Sequence, residues 1–155
     1  MAVETSAGTL LHISAGKPAT FDGAGYAAVG MTWTPVGEVV DMGEFGRKYA
    51  LIKHNPVATR VTQKFKGSYD EGNMPLKLAL DNDDAGQILC KTASKSDASY
   101  SIKITLPGGD TYYCQAIVMD FVIGGLTVDS VTSASISLEL TSTKTGIGIV
   151  EVLVP

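Results

Sequence analysis

The sequence predicts a mostly β protein: an antiparallel β-sandwich or barrel with one short flanking α-helix, a long extended loop or hairpin, and terminal arms. Three observations carry this. Seventeen glycines are spread through a chain rich in Val, Thr and Ser, a composition of strands and turns. Apolar residues recur at every second position in several separate runs, the period of a strand with one buried face. Only the stretch 81–95 carries both start and stop signals of a helix. At 155 residues, 45 % hydrophobic and 18 % charged, the chain is too apolar to be disordered and fits one domain over 1–155. A chain of that length buries about two-thirds of its unfolded surface.

The elements follow in order. Residues 1–8 form an N-terminal arm ahead of a strand in AGTLLHIS (7–14), and the nearly uncharged, Gly- and Ala-rich stretch 17–33 reads as a loop. A strand is expected over Val36–Phe45 (VGEVVDMGEF), followed by a long loop or hairpin over 47–72 around the Asn55-Pro56 turn. In MPLKLAL, Leu76, Leu78 and Leu80 share one face and Lys77 and Ala79 the other. A helix is expected over 83–95: Asp81, Asn82 or Asp83 caps it, Asp84 suits its first turn, and Lys91 and Lys95 its last, while Gly86 weakens it. YSIKITL (100–106), the turn PGGD and a strand over 111–123 make a hairpin. The second strand is expected to bury Tyr113, Ile117, Met119, Phe121 and Ile123, and to present Tyr112, Cys114, Ala116, Val118 and Asp120 on its other face.

The final long strand, VTSASISLELTST (131–143), has a core face of Thr132, Ala134, Ile136, Leu138 and Leu140. Its opposite face is Ser133, Ser135, Ser137, Glu139 and Thr141: small hydroxyls and one carboxylate, without the long cations usual on an exposed sheet. The last ten residues, GIGIVEVLVP (146–155), are apolar apart from Glu151. Ile147, Ile149, Val152 and Leu153 would each forgo roughly 1.5–3 kcal/mol if left in water. Such a tail needs a dock, either as the last strand of its own sheet or as an arm on a neighbour.

Sites for chemistry are missing from the sequence. His12 and His54 have no Cys or second His at ligand spacing, so no metal site is expected. No G-x-S-x-G, H-E-x-x-H or Walker loop occurs, and the cluster Asp81, Asp83 and Asp84 lacks EF-hand spacing. Neither an enzyme nor a cofactor is expected. Cys90 and Cys114 read as free buried thiols, given an N-terminus (MAVETSAGTLL) without the basic and apolar regions of a signal peptide. No run is long and apolar enough to span a membrane.

Charge is distributed unevenly. Residues 47–66 hold six of the twelve Lys and Arg (Arg47, Lys48, Lys53, Arg60, Lys64 and Lys66) and no Asp or Glu. Removing those six from the net charge of −4 leaves −10 on the rest. Tyr49 and Phe65 interleave with the cations as in nucleic-acid binders, but a pI near 5.0 argues against that reading. A basic hairpin on an acidic body is complementary to another copy of the same chain, and head-to-tail contacts of that kind build rings or filaments.

The order of these elements resembles the major tail tube proteins of long-tailed, lambda-like bacteriophages (siphoviruses). The resemblance spans most of the chain: GTLLHIS, the long loop after VGEVVDMGEF, LKLALDNDDAGQILCKTAS, and the run YSIKITLPGGDTYYCQAIVMDFVIGGLTVDSVTSASISLELTST with its short apolar tail. It implies a structural virion protein that stacks as hexameric rings into a hollow tube, with inner strands of all subunits closing one barrel. The type VI secretion tube protein is similar in architecture. Some family members add an immunoglobulin-like domain, which is not expected in a chain ending at Pro155. The resemblance implies tape measure, tail terminator and tip proteins as partners, assembly in the host bacterial cytoplasm, and viral DNA passing the lumen without specific binding. Asp120, Ser133, Ser135, Ser137, Glu139 and Thr141 would then face the lumen. Arg47, Lys48, Lys53, Arg60, Lys64, Lys66, Ile147, Ile149, Val152 and Leu153 would meet neighbouring subunits. The residues alone leave open a monomeric β-sandwich binding module of adhesion or carbohydrate-binding type, or a small ligand-binding barrel.

Overall fold

A computed structural model of the chain describes residues 2–155. The elements are β1 (Leu10–Ser14), α1 (Gly23–Tyr26), β2 (Thr34–Pro35), β3 (Val39–Asp41), β4 (Lys48–His54), β5 (Gln63–Asp70), β6 (Asn73–Ala79), α2 (Ala85–Ser94), β7 (Tyr100–Thr105), β8 (Thr111–Val118), β9 (Val122–Gly124), β10 (Ser133–Thr141) and β11 (Val150–Val152). One antiparallel sheet runs β2-β1-β7-β8-β10-β6-β3, with β11 on the edge of β8 and β9 on β10, while β4 and β5 pair only with each other. The two edge strands of the main sheet, β2 and β3, are joined by Val36–Glu38, so the sheet curls until its edges lie one short connection apart. The mostly β expectation holds.

Period-two alternation sets the core. Met74, Leu76 and Leu78 of β6, Ile102 and Ile104 of β7, and Ala134, Ile136, Leu138 and Leu140 of β10 are buried in one cluster. Leu11 and Ile13 of β1 join them, and α2 covers the cluster with Cys90 and Ala93. Thr132 falls outside β10 and is exposed, against the expectation that it extends the core face.

Helix α2 begins at Ala85, two residues later than expected, because Asp84 caps it by accepting from Gln87 N at 3.0 Å. The same carboxylate accepts from Gly37 N, and Gln87 Nε2 donates to Gly37 O and Ala79 O. The helix start therefore ties the β2–β3 connection to the end of β6 and closes the curl. Gly86, a poor helix former, is required by close approach: a Cβ there would stand 2.2 Å from Pro35 O. The strand expected over Val36–Phe45 is reduced to β3, since left-handed backbone at Glu38 (φ 60) and Gly43 (φ 69) interrupts extension.

The expected strand 111–123 is two strands, and its core face is inverted over β8. Cys114, Ala116 and Val118 are in the core, whereas Met119 is exposed and Ile117 half-buried. Leu138 pairs with Val118 but Ser135 pairs with Val122, so Met119, Asp120 and Phe121 stand opposite only Ile136 and Ser137. One extra residue makes a β-bulge and flips the alternation. Phe121, beyond it, packs on the core as expected.

Candidate assembly surfaces

The outer face of the curled sheet has a covered half and a bare half. Over β7 and β8 the segment 15–33 lies across it and builds a second, aromatic cluster. Tyr26 of α1 is buried and stacks on Tyr113 with centroids 5.0 Å apart, and Trp33 packs beside both. Gln115 Nε2 donates to the Tyr26 hydroxyl at 3.0 Å and to Ser101 Oγ at 2.8 Å, and Ser101 Oγ donates to Gly16 O. α1 owes its first turn to Asp22, whose carboxylate accepts from Gly25 N at 2.7 Å and is held below the ordinary carboxylate range by that bond and by Thr20.

The bare half is formed by β10 and β6. Ser135 is exposed, and Ser133, Ser137, Glu139 and Thr141 are half-buried by their neighbours. Glu139 sits directly across from Asn73 and accepts a hydrogen bond from its amide. Asp120 lies in the bulge and accepts from Ser137 N at 3.0 Å, so its carboxylate replaces a ladder partner that the bulge removes. Register also brings a cation to this face: Lys77 of β6 is directly opposite Ser135, with Asp41 of β3 opposite Lys77 on its other side. The face therefore carries one lysine flanked by acid.

Residues 48–70 are a projecting two-stranded hairpin. Every residue of β4 is exposed, as is all of β5 except Gly67. At about 3.4 Å per residue the paired part alone reaches about 24 Å. Its root is pinned by Arg47, whose Nε and Nη2 bond the buried Glu71, with a further bond from Nη2 to Gly146 O. Arg47 also lies over the Tyr69 ring at 4.0 Å, and Lys66 over Tyr49 at 4.5 Å. Lys48 pairs with Glu44 on the surface. Lys53 and Lys64 stand directly opposite each other, and neither they nor Arg60 in the tip has an acidic partner among the described residues. Like charges set opposite destabilise an isolated hairpin. The strands' other face carries Ile52 directly across from Phe65, 50 % and 54 % exposed.

The apolar tail docks on its own subunit. β11 pairs with β8 at Tyr112 and its neighbours, Val154 N donates to Asp110 Oδ1 at 2.8 Å, and Ile149 packs on the core. Of the two docks open to this tail, the chain uses its own sheet. Ile147, Val152 and Leu153 stay exposed on it. In the N-terminal arm Glu4 accepts from Gly108 N, and Val3 is fully exposed; Met1 lies outside the described residues.

No group of three or more His, Cys, Asp or Glu is gathered as for a metal among the described residues, and no helix there is long and apolar enough to cross a membrane. Cys90 and Cys114 are free and buried, and burial pushes both thiols up to about 12. His12 has its Nδ1 buried without a partner, and desolvation, then Lys103, lowers its pKa below 6.5.

The profile of the family described as phage tail tube protein, TTP, matches residues 1–148. The chain belongs to the phage tail tube protein family. Its role is accordingly structural, as a component of a phage tail tube. Solved structures show the same fold at low identity. One is a chain in the anti-feeding prophage baseplate, 6-fold symmetrised, with TM-score 0.66 and 12 % identity over 89 % of this chain and 91 % of that one. Another is the PVC sheath/tube terminator of an extracellular contractile injection system in its extended state, with TM-score 0.63 and 10 % identity over 99 % of both chains. No curated protein matches in sequence.

Proposed function

We propose that this tail tube protein polymerises as stacked hexameric rings into the hollow tube through which phage DNA enters the host, and that it carries out no catalytic step. The bare β10–β6 face carries the proposal. On β10 it is a surface of small hydroxyls and one carboxylate, left uncovered in a chain that lays segment 15–33 over the outer face of β7 and β8. Ser133, Ser135, Ser137, Glu139 and Thr141 line the lumen, with Asp120 bracing the bulge at its margin.

The physics of passage favours this lining. Duplex DNA carries one negative charge per about 1.7 Å, and every phosphate neutralised by a wall cation adds affinity that must be broken during transit. Hydroxyls hydrate the wall without neutralising phosphate charge, and Asp41 and Glu139 offset Lys77. Lys53, Arg60 and Lys64 on the hairpin contact the next ring, together with Arg47, Lys48 and Lys66 nearer its root. Ile147, Val152 and Leu153, with Ile149 beneath them, present an apolar surface to a lateral neighbour. The baseplate chain of similar fold, found in a 6-fold assembly, supports the ring size. Assembly takes place in the bacterial cytoplasm around a tape measure protein and is closed by terminator and tip proteins.

The test replaces residues 48–70 with a short Gly-Ser turn and compares both proteins by negative-stain microscopy. The variant should stay folded, since loop length contributes little closure free energy, and should give no tubes. Normal tubes from it would refute the hairpin's part in assembly, and monodisperse wild-type particles at high concentration would refute the tube.

A further inference from the structure

We infer that the hairpin of one copy docks on the 119–132 segment of the next copy, at the end of the subunit opposite its own hairpin. This rests on the proposed tube and names the receptor for its inter-ring contact.

Strand register places the two features. β6 and β10 pair from Asn73↔Glu139 at one end to Ala79↔Ser133 at the other. The hairpin joins β6 through Glu71 and Gly72, at the first end. The 119–132 segment enters β10 at Ser133, at the second end, where Leu80 N donates to Thr132 O at 2.9 Å. Six residue steps separate them, about 20 Å of strand. A subunit with the donor at one end and the receptor at the other repeats head to tail without using either up, as a stack requires.

The chemistry of the two ends matches. The hairpin offers the unpaired Lys53 and Lys64 on one face, and Ile52 with Phe65 on the other. The 119–132 segment contains Asp120 and Asp129 and no Lys or Arg. Asp120 is held by Ser137 N, which leaves Asp129, fully at the surface, as the available acid. Around it Leu126, Val128 and Val131 are 75 %, 100 % and 75 % exposed, on a connection that a lone subunit gives no cover. Lys91 lies over Phe121 at 5.6 Å, on the α2 side. An apolar patch with one acid is the complement of the hairpin face on which Lys53 and Lys64 stand beside the 60 % exposed Leu51, and opposite potentials at such contacts steer and register partners. The groove beside Phe45 and Leu106 is a poorer receptor, because it opens beside the hairpin's own root at Arg47 and Glu71.

A charge-exchange experiment on the full chain tests this, read as the protein concentration at which tubes sediment. Asp129→Lys alone and Lys53→Glu/Lys64→Glu together should each raise that concentration roughly tenfold or more, as close interfacial charge pairs do. Combining them should restore it to near wild type. All sites are exposed, so circular dichroism should show an unchanged fold. Wild-type assembly by Asp129→Lys overturns the inference, and so does failure of the combined variant to recover; the hairpin would then dock elsewhere. Normal assembly by Lys53→Glu/Lys64→Glu would instead overturn the hairpin's role itself, a distinguishable failure.

Discussion

Replacing Ser135 with Lys puts a positive charge on the proposed lumen wall without touching the core. Ser135 is exposed, and its neighbours Ala134 and Ile136 keep the buried face of β10. The new ammonium would stand directly opposite Lys77, and like charges so placed cost about 0.2–1 kcal/mol. Against a total stability of about 5–15 kcal/mol the subunit should fold. Rings should still stack, because the change lies away from the hairpin and, although Ser135 pairs with Val122, the exposed Leu126, Val128, Asp129 and Val131 stand on the connection beyond that pairing. In a sixfold ring the wall then gains six lysine pairs. Each neutralised phosphate lowers DNA affinity about eightfold for a tenfold rise in salt, so six of them give about five decades. Particles assembled from the variant should look normal by microscopy, eject DNA slowly at low salt, and recover as salt rises. Ile136→Lys is the control. Ile136 is 1 % exposed, so the change loses its burial and strands a charge, about 2 kcal/mol plus several more, and should prevent folding. Normal ejection by the Ser135 variant at low salt would refute the assignment of this face to the lumen.

Three further outcomes follow from the same structure. Asp120→Ala should lower stability by about 1–2 kcal/mol by orphaning Ser137 N, a loss of about 3–6 °C in Tm, while Asp120→Asn keeps an acceptor and most of the stability; equal melts for the two variants would contradict the bulge brace. His12 has its pKa lowered by burial and by Lys103, so the unfolded chain takes up the proton first. Stability should hold above pH 6.5 and decline as pH falls through it, with thermal melts of His12→Gln showing a smaller decline. Cys90 and Cys114, with thiols pushed up to about 12, should resist a disulfide reagent at pH 8 in the folded protein and react at once in denaturant, counted by absorbance.

What could be read beforehand was whatever local pattern governs. β10 keeps strict alternation from Ser133 to Thr141, so both its faces were legible. The charge asymmetry of 47–66 marked the hairpin, though not the separation of Lys53 and Lys64 from Ile52 and Phe65, which depends on pairing. The faces of β8 are not legible in its sequence, because the extra residue at Met119–Phe121 is a property of the partner strand's spacing, not of either sequence alone. For the same reason no local pattern sets Lys77 opposite Ser135, more than fifty residues away, or connects Tyr26, Gln115 and Ser101. The tail's apolarity was plain; that it pairs with β8 of its own chain was one of two open outcomes.

In the proposed tube the β10–β6 face surrounds a channel. A helical reconstruction of tubes assembled from the purified chain measures this directly. The expected density is a hollow tube of stacked sixfold rings, with Ser133, Ser135, Ser137 and Glu139 turned toward the axis and the hairpin crossing to the next ring. A tube with that face buried between subunits, or turned to the outside, would contradict it.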